Sequence, residues 1–203
     1  MSARIDHTTT SGTFELDGGS WDVDNNVWLV GDDSEVVVID AAHSADPIVD
    51  AVGGRTVRGI VCTHGHNDHV TVAPELSERL DAPILLHPGD DVLWDMTHPG
   101  VGHEDLTADS RITVGGTEIR VIHAPGHSPG SVCLYLPEAG QLFSGDTLFA
   151  AGCGRMFEGN PEGMQDALAR LAALDPARPV LAEAESSKVG DLSLPPSLWA
   201  AMR

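Results

Sequence analysis

The first half of the chain alternates short apolar runs with turn-forming residues. "NVWLV" (26–30) and "EVVVID" (35–40) flank "GDDS", a turn-forming tetrad, which predicts a hairpin. "DPIVDAV" (46–52) reads as a short helix with Asp46 as N-cap and Pro47 at its first position. "VRGIVCT" (57–63) is a buried strand, "VAPELSERL" (72–80) a helix and "APILLH" (82–87) the next strand. Residues 88–110 have no clear period and read as a loop with a short helix.

The second half begins with "RITV" and "TEIRVIH", two strands joined by Gly115-Gly116, a two-residue hairpin signal. "SVCLYL" (131–136) and "QLFSG" (141–145) form a second strand pair around "PEAG". "NPEGMQDALARLAAL" (160–174) has the strongest helical period: Asn160 caps it, Pro161 opens it, and Met164, Leu168, Leu171 and Leu174 share one face. "RPVLA" (178–182) reads as a last short strand. Hairpins outnumber strand–helix–strand units, so the pattern predicts an α+β protein of packed sheets with helices outside.

Composition adds limits. The 203 residues suffice for a real core, and with 41% hydrophobic content and 35 Gly plus Pro the chain reads as globular and loop-rich. No apolar run reaches membrane-spanning length, and "MSARIDHTTTSGTF" has no apolar signal core, which predicts a cytoplasmic protein. The net charge of −20 argues against nucleic acid and anionic membranes as partners. It is uneven: residues 1–110 carry 21 acids against 4 bases. Cys62, Cys133 and Cys153 are odd in number and widely spaced, so a disulfide framework is not expected. Cys62 and Cys133 read as core residues, and Cys153 as the thiol to test for reactivity.

The chemistry sits in "THGHNDH" (63–69), at the end of a buried strand. His64 and His66, two apart in an extended loop, point the same way and suit one metal ion. Asp68 and His69 follow at once, and a turn there aims them at a second position. Imidazoles with a carboxylate are a zinc ligand set that iron or manganese also accepts. Further ligands are offered by His127 in "APGHSPGS" and Asp146 in "SGDTLF", each in a loop beside a strand. His43, His87 and His123 lie beside strand ends and read as structural, whereas His98 and His103 sit in the long loop.

"THGHNDH", "APGHSPGS" and "SGDTLF", in that order, resemble the metallo-β-lactamase superfamily, and "EVVVID" resembles its first strand motif. The resemblance runs from about Asn26 to about Leu174 and implies the metallo-β-lactamase fold, an αββα four-layer sandwich, as one domain over residues 1–203. It also implies roles: His64, His66 and His127 for a first metal, Asp68 and His69 for a second, Asp146 bridging them. One or two zinc ions would supply a metal-bound hydroxide, with Asp68 orienting it and taking up its proton.

"GCGRMFEG" (152–159) resembles the glyoxalase II branch, thioester hydrolases acting on acyl-glutathione. There Arg155 and Phe157 match residues that contact the thiol part of a small acyl-thiol substrate, although Arg155 pairing with Glu158 or Glu162 over a core Phe157 fits the sequence equally. The sequence departs from that branch twice. The helical C-terminal domain is not expected within 203 residues, which leaves the identity of the thiol open. The family's last histidine aligns with Ala184, in "VLAEAESSKVG", which predicts a weakened second site unless Glu183 or Glu185 substitutes. Two other readings stand beside the hydrolase: an iron-dependent persulfide dioxygenase on the same scaffold, and a catalytically impaired metal-binding relative.

Overall fold

The computed structural model describes residues 3–16, 18–149, 152–174 and 181–182. The chain divides into two compact units, residues 1–106 with 113–117, and residues 107–112 with 118–203. Each pairs a sheet with a helix layer, the half-sandwich that an αββα architecture requires.

The first unit carries β1 (Arg4–Leu16), β2 (Gly19–Gly31), β3 (Glu35–Ile39), α1 (Ala45–Val52), β4 (Thr56–Val61), α2 (Asn67–Val70), α3 (Ala73–Leu80), β5 (Ile84–Leu86), α4 (Asp91–Thr97) and β6 (Glu104–Asp105). The six strands form one sheet in chain order. β1, β2 and β3 pair antiparallel, and β3 to β6 pair parallel. The β2–β3 hairpin is the expected one. Its turn is held by Asp32, whose carboxylate accepts from the backbone N–H of Ser34 and Glu35 at 2.7 and 2.9 Å.

Two differences from the sequence reading concern local signals. β1 was not expected. Its interior reads His-Thr-Thr-Thr-Ser, which has β-branched residues but no apolar alternation, and it forms because it finds β2 as a partner along its whole length. Helix α1 begins earlier than expected: its N-cap is Ser44, and Asp46 lies in the first turn, where its carboxylate pairs with Arg79 at 2.8 Å. Val38, Ile60, Cys62 and Leu86 of the sheet region pack with Ile48 and Val52 of α1 and Leu76 of α3 in one buried cluster. This core fixes the end of β4, from which the histidine loop departs.

The second sheet is built from β7 (Arg111–Val114), β8 (Thr117–His123), β9 (Val132–Leu136), β10 (Gln141–Phe143) and β13 (Leu181–Ala182), in the order β13-β10-β9-β8-β7. β8, β9 and β10 pair antiparallel, and β13 runs parallel to β10. Gly115 and Gly116 both take positive φ, 55° and 73°, as the two-residue hairpin requires. A small ribbon joins β11 (Leu148–Phe149) to β12 (Gly152–Cys153). Helix α5 (Pro161–Ala172) starts as expected: Asn160 Oδ1 accepts from the Gly163 N–H at 2.7 Å. Met164, Leu168 and Leu171 are buried against Cys133, Tyr135 and Leu142. No helix among the described residues is long and apolar enough to cross a membrane.

Candidate metal centre

Residues 63–69 leave β4 and close into the single turn of α2, so that His64, His66, Asp68 and His69 are all buried. Ring nitrogens of His64 and His66 lie within 4.8 Å of one another, as do those of His64 and His69. The His64 and His66 rings meet edge to face with centroids 4.8 Å apart.

Asp40 organises this loop. It sits at φ 65°, a left-handed conformation uncommon for a non-glycine residue. Its Oδ1 accepts from the Thr63 N–H at 2.7 Å, and its Oδ2 from the Thr63 hydroxyl at 2.9 Å. The same Oδ2 stands 3.0 Å from His69 Nδ1. A carboxylate only accepts, so Nδ1 of His69 carries the hydrogen and Nε2 the lone pair. The Thr63 hydroxyl hydrogen is committed to Asp40, so its oxygen accepts from His64 Nδ1 at 3.2 Å. His64 therefore also presents its lone pair at Nε2. This carboxylate-to-imidazole pattern is the outer shell that metal-ligating histidines ordinarily have.

Gly65 lies between the two histidines against Asp90 and α4. Its N–H donates to the fully buried Asp90 carboxylate at 2.9 Å. A Cβ there would stand 2.9 Å from Leu93 Cβ and 3.0 Å from Asp90 Cβ. Gly65→Ala is expected to overpack this contact, costing about 1–3 kcal/mol of stability in urea unfolding. An unchanged midpoint would mean that the loop is free to move away from α4.

Asp68 and His69 also meet a residue the sequence reading passed over. Asn25 of β2 is buried, and its Nδ2 lies 3.2 Å from Asp68 Oδ2 and 3.1 Å from His69 Nε2. Asp68 Oδ1 is buried with no hydrogen-bond partner among the described residues. The signal was present: Asn25, Val27 and Leu29 alternate on one buried side of β2, where a polar residue is out of pattern.

In the second unit, His127 is buried, and its Nδ1 lies 2.6 Å from the Arg155 carbonyl oxygen, an acceptor only. Its Nε2 thus carries the lone pair, 3.4 Å from Asp146 Oδ2. The "GCGRMFEG" segment wraps this histidine: the N–H groups of Phe157 and Gly159 both donate to the His127 carbonyl. Gly154 approaches so closely that a Cβ would fall 1.7 Å from the Asp146 carbonyl oxygen. The Phe157 ring meets His127 edge on at 5.4 Å, and the exposed Arg155 guanidinium lies 5.4 Å from the Phe157 centroid. Among the described residues Arg155 has no ion pair. Ala184, Glu183 and Glu185 lie outside the described residues.

Four further histidines have partners outside this cluster. His87 Nδ1 accepts from the Gly89 N–H, His98 Nε2 lies 2.8 Å from the Val70 carbonyl, and His123 Nε2 lies 2.9 Å from that of Pro129. His103 stands 3.3 Å from Asp91. Cys153, the thiol singled out for a reactivity test, is buried like the other two. Burial raises the pKa of all three thiols, that of Cys133 to about 12. The unfolded chain ionises its thiols near pH 9, so between about pH 9 and 12 the folded chain holds the extra proton. Stability is therefore expected to fall as pH rises through that range. Urea midpoints at pH 8 and 10 check this, and Cys133→Ala should flatten the difference.

Comparison with known proteins places the chain in a family. Residues 21–182 match the model of the metallo-beta-lactamase superfamily. Hydroxyacylglutathione hydrolase of Xanthomonas campestris pv. campestris is 40% identical over 154 residues, 74% of this chain and 57% of the relative. That of Aeromonas salmonicida is 37% identical over 153 residues, with the same coverage. The chain thus spans 57% of the length of these relatives. Among solved structures, TTHA1623 in a di-iron-bound form matches with TM-score 0.69 and 31% identity, over 80% of this chain and 87% of that one. ETHE1 from Myxococcus xanthus matches with TM-score 0.67 and 25% identity, over 81% and 72%. The chain has the metallo-β-lactamase fold and belongs to the metallo-β-lactamase superfamily, on the side of the hydroxyacylglutathione hydrolases.

Proposed function

We propose that the chain is a metal-dependent hydrolase of a thioester of a small cellular thiol. The residues we assign to metal binding are His64, His66, Asp68, His69, His127 and Asp146. Zinc is the leading cofactor on donor chemistry, three or four imidazoles with carboxylates, and iron or manganese fits the same set. The observation that carries the reading is the tautomer lock: His64, His69 and His127 each keep the hydrogen on Nδ1 and the lone pair on Nε2, which on His64 and His127 is open to a cation and on His69 faces Asn25 Nδ2 at 3.1 Å. The buried Asp68 Oδ1 fits as well, being an acceptor that a cation or a water would satisfy.

A bound divalent cation supplies a lowered water pKa, from about 15.7 towards about 7, and polarises an acyl carbonyl. The chain's own residues supply the rest. Asp68 orients the attacking water and takes its proton on Oδ1. Phe157 packs the apolar part of the thiol, and Arg155 pairs with its carboxylate.

Arg155→Ala is expected to raise KM about tenfold or more for a thioester of an anionic thiol such as glutathione, with kcat unchanged, because the lost charge-assisted bond serves ground state and transition state alike. A thioester of a neutral thiol should show no change. An equal effect on both substrates would remove Arg155 from the thiol site. The reaction class is tested by following free thiol release from acyl-thioesters alongside oxygen uptake with a persulfide. The proposal expects the first and not the second. Oxygen uptake in the iron-loaded chain, without thiol release, would favour the dioxygenase reading.

A further inference from the structure

Asn25 and His43 lie outside every ligand assignment made above, yet they form a chain that ends on Asp68. His43 Nε2 stands 2.8 Å from Asn25 Oδ1. An amide oxygen only accepts, so His43 donates and the carboxamide is fixed in one orientation. Its Nδ2 then faces Asp68 Oδ2 at 3.2 Å and His69 Nε2 at 3.1 Å. One oxygen of Asp68 is thereby held, and the other, Oδ1, is left buried with no hydrogen-bond partner among the described residues.

His43 is itself held at some cost. Its φ is 54°, a left-handed conformation uncommon for a non-glycine residue. Its ring packs directly on Gly12 of β1, where a Cβ would fall 2.3 Å from Nδ1. Strain of this kind persists where the surroundings over-determine it. The site is 18 residues from Asn25 in sequence and Asn25 is 43 from Asp68, so no local turn explains the arrangement.

We propose that Asn25, locked by His43, is the positioning residue that aims Asp68 Oδ1 at the cation and its water. The inference rests on the metal-dependent reading of the site. Carboxylates that ligate metals are ordinarily held by such outer partners, and losing one costs about 10–100-fold in metal affinity or activity. A carboxamide suits the place because it donates to Asp68 without adding charge beside it.

The test uses the metal-free chain of residues 1–203, titrated with cobalt(II) and read by its visible bands. Asn25→Leu, close to asparagine in volume, and Asn25→Ala are compared with the wild type. Both are expected to weaken the last cobalt-binding step about 10–100-fold and to shift the bands, and His43→Ala to shift them in the same direction. A merely structural role would move the melting temperature and leave the bands alone. Wild-type affinity and identical bands in the Asn25 variants overturn the proposal. Should both variants fail to fold, the wild type still decides. The Asn25 carboxamide protons, followed by NMR, should move when zinc is added, and constant shifts refute the tie. If the wild type takes up neither cobalt nor zinc, the metal-dependent reading itself fails, and the positioning role with it.

Discussion

Asp68→Ala is expected to lower kcat for thioester hydrolysis by about 10²–10⁴-fold, the range that a positioned general base contributes. Asp68 is buried on the one-turn helix α2, one oxygen tied to Asn25 and the other without a hydrogen-bond partner among the described residues. An acceptor kept dry in that way is costly unless a cation or a water completes it. Alanine removes that acceptor and leaves Asn25 Nδ2 its contact with His69 Nε2 at 3.1 Å, so the fold should survive. His64 and His66 keep their places in the loop, so the variant should retain one bound metal, with the second weakened, while losing turnover. Asp68→Asn should fall in the same range, because an amide oxygen cannot take the proton. The check is kcat at saturating substrate together with metal per chain. A loss below tenfold with metal retained would assign the proton to another group.

Asp40→Asn is expected to weaken metal binding about 10–100-fold without touching a ligand. One carboxylate receives the Thr63 N–H, the Thr63 hydroxyl and His69 Nδ1. Through Thr63 it also sets the hydrogen on His64. Asparagine keeps the shape but offers one acceptor and one donor, so one of these bonds must fail. If the His69 contact becomes amide N–H facing Nδ1–H, the imidazole turns to the other tautomer and its Nε2 lone pair is lost. Asp40→Ala should also destabilise the fold, since a buried donor left unmade costs about 1–3 kcal/mol. Metal affinity by competition with a chelator separates the two variants. Unchanged affinity in Asp40→Asn would show that His69 is oriented by something other than Asp40.

Much of this was legible in the sequence, for identifiable reasons. The motif at 63–69 could be read because metal ligation restricts residue type and spacing together. The β2–β3 hairpin could be read because Asp32 caps its own turn, and α5 because Asn160, Pro161 and a repeating apolar face all agree. What escaped depended on partners distant in the chain. β1 has no apolar period of its own and exists through its pairing with β2. Asp90 looks like any loop acid until Gly65, 25 residues away, donates to it. Asn25 looks like one more polar residue beside exposed Asp24 until the side of β2 that it occupies is known. The burial of Cys153 depends in the same way on distant packing, in a cluster with Leu148 and Met164.

The central proposal is that this chain hydrolyses a thioester only when metal is bound. It is tested most directly by thiol release from an acyl-glutathione, measured for one preparation before chelation, after chelation, and after readdition of zinc, iron or manganese. The account predicts loss of activity with the metal and its return with at least one of the three. Activity that persists in the metal-free chain, or no release from the metal-loaded chain with any acyl-thiol, would contradict it.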